Sequence, residues 1–415
     1  HHLLLAALDF SLVATSGNRS DEPICIDESQ ALERLGGIAD AYLVHDRSIT
    51  RHADDSIVQV VAGEPVILRR ARGYAPLPVT LRRSLPPLLA VGAHQKNTVA
   101  VASGTQVFIS QHIGDLDTYE AIDVLPRTAS DLCDLYQIQP VAVACDLHPD
   151  YASTQYAESL GLPLVRVQHH EAHILACLAE HGLDDSPALG VSWDGTGYGT
   201  DGTIWGGEFL RVTPDGCQRV AHLRTFPLPG GDAAAREPRR SALGLLFALY
   251  GDSVFERVDL APLTAFSAQE RAVLHQMLER AVNAPQTSSA GRLFDAIAAL
   301  LDLRQRAAFE GQAAMALEFA ADGVATDEVY PFSINREYTG GDSAPVLFVD
   351  WGPLVEALLA DMARGVPSEV IAAIFHNTLA ALIVDVARRI GEQLVALSGG
   401  CFQNRRLLAQ TVRWL

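Results

Sequence analysis

Two histidines four residues apart, and an aspartate in a glycine-rich turn, are the residues of this chain best suited to chemistry. In "VQHHEAHILACLAEHG" (167–182), His169 and His173 stand one helical turn apart, so on a helix both imidazoles reach one ion. Zinc proteases use that spacing in HExxH, but here Glu171 follows His169 by two and points off the shared face. A solvated helix face is the commoner reason for such a pair, since a lone HxxxH is a weak signal, and His170 and His181 are read as belonging to such a face. Further on, "WDGTGYGTDG" (193–202) puts four glycines in eight residues, which lets backbone approach a ligand closely. Asp194 at its start is a third candidate ligand, direct or through water, or else a turn former.

Other turns carry weaker signals. In "GAHQKNT" (92–98), Lys96 is either a surface lysine or a fixed cation facing an anionic transition state, with Asn97 and Thr98 beside it. "LPGGD" (228–232) and "LSGGCFQN" (397–404) are further glycine turns. "GRLFDA" (291–296) and "FEGQAAMALE" (309–318) place Asp295 and Glu310 at or near helix ends, where carboxylates bond ribose hydroxyls or simply start helices. Ser16 and Asn18 in "ATSGNRSDEP" and Ser56 in "RHADDSIV" are by type local turn formers. The nearby Arg69, Arg70 and Arg72 favour a small anion site there.

Elements must position these groups. Residues 1–76 alternate short apolar runs ("FSLVATSGN", "AYLVHDR", "SIVQVV", "VILRRARG") with turn residues, predicting a sheet-rich segment. The proline-rich 77–87 reads as a linker. After it, "LLAVGAHQKNTVAVASGTQVFISQHIGD" (88–115) predicts strand, Gly turn, strand, Ser-Gly turn, strand. "ALGVSWDGTGYGTDGTIWGGEFLRV" (188–212) echoes that plan, and helical segments follow each copy. Duplicated hairpin-plus-helix halves predict an α/β actin/sugar-kinase-like (ASKHA) nucleotide cleft. "QLVALSGG" (393–400) reads as a buried strand entering a Gly turn and helix, the arrangement in which backbone N–H groups meet a phosphate.

Composition sets limits. The chain has 415 residues, enough for two or three domains, 48% of them hydrophobic and 20% charged, as in a globular α/β protein. A net charge of −19 argues against a nucleic-acid groove. Six cysteines without CxxC spacing exclude a zinc ribbon in these residues and fit a reducing cytoplasm. No run of eighteen apolar residues occurs, so no membrane partner is expected. Both ends read as cut within elements.

Taken together, "TSGN", "DDS", "RRARGY", "KNT", "SQHIGDL", "DLHPDY", "HHEAH", "CLAEHG", "DGTGYG", "WGGEF", "PLPGGD", "GRLFDA", "FEGQAA" and "LSGGCFQN" resemble, in order, the HypF family of hydrogenase-maturation carbamoyltransferases. The resemblance implies that residues 1–76 are the C-terminal part of a YrdC-like carbamoyl-adenylate-forming domain. It implies that 88–415 are most of a TsaD-like transferase domain of two ASKHA-like halves, truncated at its C-terminus. The implied chemistry joins carbamate from carbamoyl phosphate to ATP, giving carbamoyl-adenylate. The carbamoyl group then passes to the C-terminal cysteine of HypE, as precursor of hydrogenase cyanide ligands. The rival readings are a tRNA threonylcarbamoyltransferase, an O-carbamoyltransferase, or a non-catalytic nucleotide-binding scaffold.

By the same resemblance, His169, His173 and Asp194 are ligands of a divalent metal, iron or zinc, with magnesium accompanying the nucleotide. The family also has an aspartate in a Gly-rich turn near its C-terminus, which this chain lacks. Lys96 matches a residue near the transferred carbonyl. Asn97, Thr98, Gly195, Thr196, Gly197, Tyr198, Gly230, Gly231, Asp232, Asp295, Glu310, Gly399, Gly400 and Asn404 are implied for the nucleotide cleft. Ser16, Asn18 and Ser56 are implied for the adenylate site, where Asp21 and Gln59 depart from the family's usual residues.

Overall fold

Apolar runs become strands only where a neighbouring strand accepts their backbone hydrogen bonds, and that condition sorts the expectations above. In a computed structural model describing residues 2–20, 22–257, 259–337 and 345–415, the chain forms a mixed α/β protein of two compact units. Asp21 lies outside the described residues.

The first unit comprises residues 1–59, 66–79 and 84–166. Its start corrects the sheet-rich expectation. "FSLVATSGN" and "AYLVHDR" form no strand, and Val13 and Leu43 are almost fully exposed. Helices His2–Ala6 and Glu28–Leu35 occur instead, the latter capped by the Asp27 carboxylate. One two-stranded ribbon, Ile57–Val61 with Glu64–Arg69, is the sheet that does form there.

The expected linker is corrected too. Residues 78–87 belong to a strand, Pro78–Ala90. Proline's fixed φ suits an extended chain, and its carbonyl still accepts: the Val141 N–H donates to Pro87 O at 2.9 Å. That strand lies between Ala100–Ile109 and the parallel strand Ala142–Asp146, with Leu164–Val167 beyond. The predicted Ser103–Gly104 turn sits inside strand Ala100–Ile109, although Gly104 has φ +61°. Leu89, Val91, Val101, Leu125 and Val143 form this unit's core under helix Tyr119–Tyr136.

The second unit comprises residues 60–65, 80–83 and 167–415. Its centre is an eight-stranded sheet in which Ala188–Tyr198 pairs antiparallel with Ile204–Thr213 and parallel with Val395–Ser398. The echo read in the sequence is therefore a repeated topology. In each copy the strand feeding the polar turn has a hairpin partner on one side and a parallel strand on the other. Trp193, Phe209, Phe226, Phe294 and Phe375 fill the core between this sheet and helices Ala290–Leu300 and Ser368–Ile390. The latter helix is long and apolar enough to cross a membrane, yet 83% of that apolar stretch is buried within the protein, as in a core helix.

Candidate metal and nucleotide site

The histidine helix, His169–Glu180, begins at an amide. Gln168 Oε1 accepts the N–H groups of His170 and Glu171 at 2.7 and 3.0 Å, and its Nε2 donates to Tyr198 O at 3.1 Å. One side chain thus caps the helix and ties it to the glycine-rich turn. Below it, Ile174 packs where Gly190 of the neighbouring strand leaves space; a Cβ there would stand 2.4 Å from Ile174 Cγ1.

This register makes His169, His173 and Asp194 converge. His173 Nε2 lies 3.0 Å from Asp194 Oδ2 and 3.2 Å from His169 Nε2; His169 Nε2 lies 3.4 Å from the same Oδ2. The other carboxylate oxygen, Oδ1, accepts Gly195 N–H at 2.7 Å and Gly400 N–H at 3.3 Å. One oxygen is therefore held by backbone from two turns, and the other faces the imidazoles. Burial works against ionising Asp194, but hydrogen bonds from His169 and His173 hold its carboxyl well below the usual range.

The donor set fits a divalent cation. Ligand atoms roughly 2.1 Å from one ion stand about 3.0–3.4 Å apart, which is the spacing of these three atoms. They are the one group of metal-type donors that converges among the described residues. Glu171 is not part of it.

The turn around Asp194 is tightly built. Ser289 caps helix Ala290–Leu300 by accepting the Arg292 N–H, and its one O–H proton lies between Asp194 O and Gly195 O, 2.8 and 2.7 Å from Oγ. A Cβ at Gly291 would stand 2.8 Å from Gly195 Cα, so helix and turn meet backbone to backbone. Gly399, at φ +99°, leaves no room either: a Cβ would lie 2.3 Å from Trp193 O. Behind the turn, Glu208 is fully buried, accepting from Ser288 Oγ and paired with Arg219, whose guanidinium also stacks on Trp205.

His170 corrects the reading of a solvated helix face. It is fully buried, its ring fills the space that Gly197 vacates, and burial pushes its pKa well below the usual value. His181 is exposed, with its ring Nδ1 against Cys177 O at the helix end.

Asp295 is corrected in position. It lies in the middle of helix Ala290–Leu300, not at its end, and is 3% exposed. Burial raises its pKa to about 6, Arg292 opposing and Glu310 adding to the rise. Glu310 is an exposed turn residue ahead of helix Gln312–Ala320. The half-buried Cys401 feels Asp194, Arg292, Asp295 and Glu310, so these groups share one neighbourhood with Gly195, Gly399 and Gly400. Thr196 and Tyr198 are exposed on the turn.

Several residues expected at the nucleotide also hold the fold. Asn404 caps helix Arg405–Trp414 through Oδ1, while its Nδ2 faces His376 Nε2 at 2.9 Å. Asn97 gives both amide protons to Val91 O and Ala93 O. Ser56 Oγ donates to Arg72 O and accepts from Ala71 N, closing its own loop. Gly230 and Gly231 make backbone turns with positive φ, and Asp232 is exposed and caps nothing. Thr98 is half-buried and Ser16 exposed.

In the first unit, Lys96 and Asn18 line one pocket with His52, Asp54, Arg69 and Asp115. Lys96 takes φ +48°, and its N–H donates to Asp115 Oδ1 at 2.7 Å. Arg69 pairs with Asp54 at 2.6 Å, so the basic patch is partly neutralised; Arg70 and Arg72 are turned onto Leu77 O and Ala53 O.

Gln168, Ser289, Arg292, Glu208 and His376 were not read from the sequence as part of the site. The "SAG" just before and at the start of "GRLFDA" (289–291) signals a capped helix with a glycine for close approach, and was the available clue.

A metal-type cluster set among the glycine turns of an α/β fold defines the class: a ligand-binding α/β domain. Comparison with known proteins narrows it. The Kae1-like domain of HypF matches residues 83–180, and the second subdomain of the carbamoyltransferase Kae1-like domain matches 190–415. The Sua5–YciO–YrdC family, described as "Telomere recombination", matches 1–71. The chain is 47% identical over 425 residues to the carbamoyltransferase HypF of Synechocystis sp., covering 99% of this chain and 54% of that protein. It is 41% identical over 333 residues to a HypF homolog of Cupriavidus necator, covering 78% of this chain and 82% of that one. A crystal structure of full-length HypF in a phosphate- and nucleotide-bound form superposes with TM-score 0.92 at 40% identity, over 100% of this chain and 53% of that one. That of T. kodakarensis HypF gives 0.84 at 32%, over 96% and 53%. The chain belongs to the HypF carbamoyltransferase family, and it spans about half the length of the first curated relatives it matches.

Proposed function

We propose that this chain carries the carbamoyl-transfer site of a hydrogenase-maturation enzyme. In this reading carbamoyl phosphate and ATP give carbamoyl-adenylate, and the carbamoyl group passes to the C-terminal cysteine of HypE in the cytoplasm. The observation that carries it is the His169–His173–Asp194 cluster, with the Asp194 carboxylate pinned by the Gly195 and Gly400 N–H groups.

The chemistry needs an electrophile and an orienting cradle. Carbamate is inert until joined to a phosphate as a mixed anhydride. His169, His173 and Asp194 would hold an iron or zinc ion, which when bound polarises a carbonyl as a Lewis acid. The chain's own part is positional: Gln168 and Ser289 fix the ligand-bearing elements, and Gly195, Gly399 and Gly400 let a nucleotide approach backbone. Asp295 and Glu310 are suited to ribose hydroxyls. A crystal of a relative that holds phosphate and nucleotide supports the nucleotide reading.

The test supplies enzymatically made carbamoyl-adenylate and HypE to the metal-loaded chain. Mass spectrometry of the HypE C-terminal peptide should show a carbamoylated cysteine. Folded, metal-loaded chain that leaves this peptide unmodified would sink the proposal.

A further inference from the structure

Arg292 is the buried cation of the cleft, and its bonding is incomplete. It is 8% exposed, on the first turn of helix Ala290–Leu300, whose positive end abuts the Asp194–Gly195 turn. Its Nη2 stands 3.0 Å from Asp295 Oδ2, close enough for an ion pair, yet that oxygen completes no hydrogen bond. Its Nε is buried with no partner at all. An orphaned buried guanidinium N–H is costly to keep, and such a group calls for an explanation, of which a bound ligand is one.

The direction it faces identifies the ligand. A Cβ at Gly195 would meet a single atom within 4 Å, Arg292 Nη2 at 3.5 Å. The missing side chain opens a path from the turn to the guanidinium. Around it stand Asp295, whose pKa burial raises to about 6, and the Cys401 thiol, whose ionisation burial opposes. Asp295 faces Nη2 alone, so the Nε edge of the guanidinium is left for another acceptor. A planar fork of N–H donors is matched by the oxygens of a phosphoryl group.

We infer that Arg292 contacts the phosphoryl group of the nucleotide-linked carbamoyl donor, through its Nε and Nη atoms across Gly195. This rests on the nucleotide reading above and adds a residue that binds charge, not base or ribose. It also has a consequence for transfer. When a thiolate attacks the carbamoyl carbon, the bond from that carbon to the bridging oxygen breaks. Its electron pair leaves with the phosphate, whose charge goes from one negative to two. A guanidinium already in contact gains attraction as that charge develops.

Calorimetric titration of the chain with AMP and with adenosine separates the possibilities. The wild type should bind AMP more tightly than adenosine. Arg292→Gln should weaken AMP by about tenfold or more, while adenosine stays within about twofold. Arg292→Lys keeps a charge opposite Asp295 and decides the matter if the Gln variant does not fold. Lys lacks the fork, so AMP should still weaken selectively, by about three- to tenfold. Equal loss of both ligands in a folded variant, or no loss, overturns the assignment. A wild type that binds neither ligand instead sinks the nucleotide reading itself, before any variant is made, and the role of Arg292 with it.

Discussion

His173 Nε2 and Asp194 Oδ2 stand 3.0 Å apart although 21 residues separate them, and the opposite carboxylate oxygen is fixed by two backbone N–H groups. Backbone thus turns the free oxygen of the carboxylate toward the imidazoles. His173→Ala or His169→Ala should lower iron or zinc affinity by more than about 100-fold, exceeding the loss typical of an outer-sphere partner. Carbamoyl transfer should fall by about 3–4 orders of magnitude if the ion supplies several kcal/mol. Metal content after dialysis, measured beside single-turnover transfer, checks both; unchanged metal retention would count against the ligand assignment.

Acid should destabilise the chain through His376. This ring is fully buried against Phe294 and Phe375, and burial pushes its pKa to about 4. The unfolded state takes up a proton near pH 6.5, the folded state only near 4, so stability is full above 6.5 and drains as pH falls between them. The loss is on the order of 3 kcal/mol. Asp295, raised to about 6, has the opposite slope, because its folded form takes up the proton first. His376→Gln should flatten the fall in Tm between pH 7 and 5. A curve parallel to wild type would contradict the assignment.

Gly399→Ala should damage the site from a distance of one residue. Its φ of +99° is strained for any L side chain, and the new Cβ would collide with Trp193 O. Relief requires the turn to shift, moving the Gly400 N–H from Asp194. A destabilisation of about 1–3 kcal/mol is expected, with metal affinity reduced in parallel. Thermal unfolding with and without zinc measures both, and retention of full zinc stabilisation would show that the turn does not position Asp194.

Glu208→Gln should cost more than its conservative chemistry suggests. Glu208 is fully buried, and the change leaves Arg219, whose Nη2 already lacks a partner, without its buried counter-charge. Loss of one partner of a buried pair typically costs about 3–5 kcal/mol. Urea denaturation should show a lower midpoint. A shift below about 1 kcal/mol would mean the exposed Asp201 alone satisfies Arg219.

Much of the site was legible because its signals are local. A four-residue histidine spacing and a run of glycines after an apolar strand depend on neighbours in the chain, and both survived folding as the metal-type cluster and the turn. The internal bonds of Asn404, Asn97 and Ser56 were not legible, because an amide or hydroxyl on a turn has two outlets, ligand or backbone, and the sequence does not say which is nearer. "AYLVHDR" and "FSLVATSGN" had strand-like patterning, but both are almost entirely exposed and form no strand.

The amino-acid sequence by itself determined the family, the α/β class, the repeated hairpin plan and the identity of His169, His173 and Asp194. Periodicity and ordered motifs encode those features directly. Only the tertiary structure decided that Asp194 shares its oxygens between backbone and imidazole, that Asn404 serves His376, and that Arg292 faces Gly195 with an unpaired Nε. Each of these joins residues distant in the chain or unlike in type. Their geometry follows from how helix and sheet pack, and no local pattern records it.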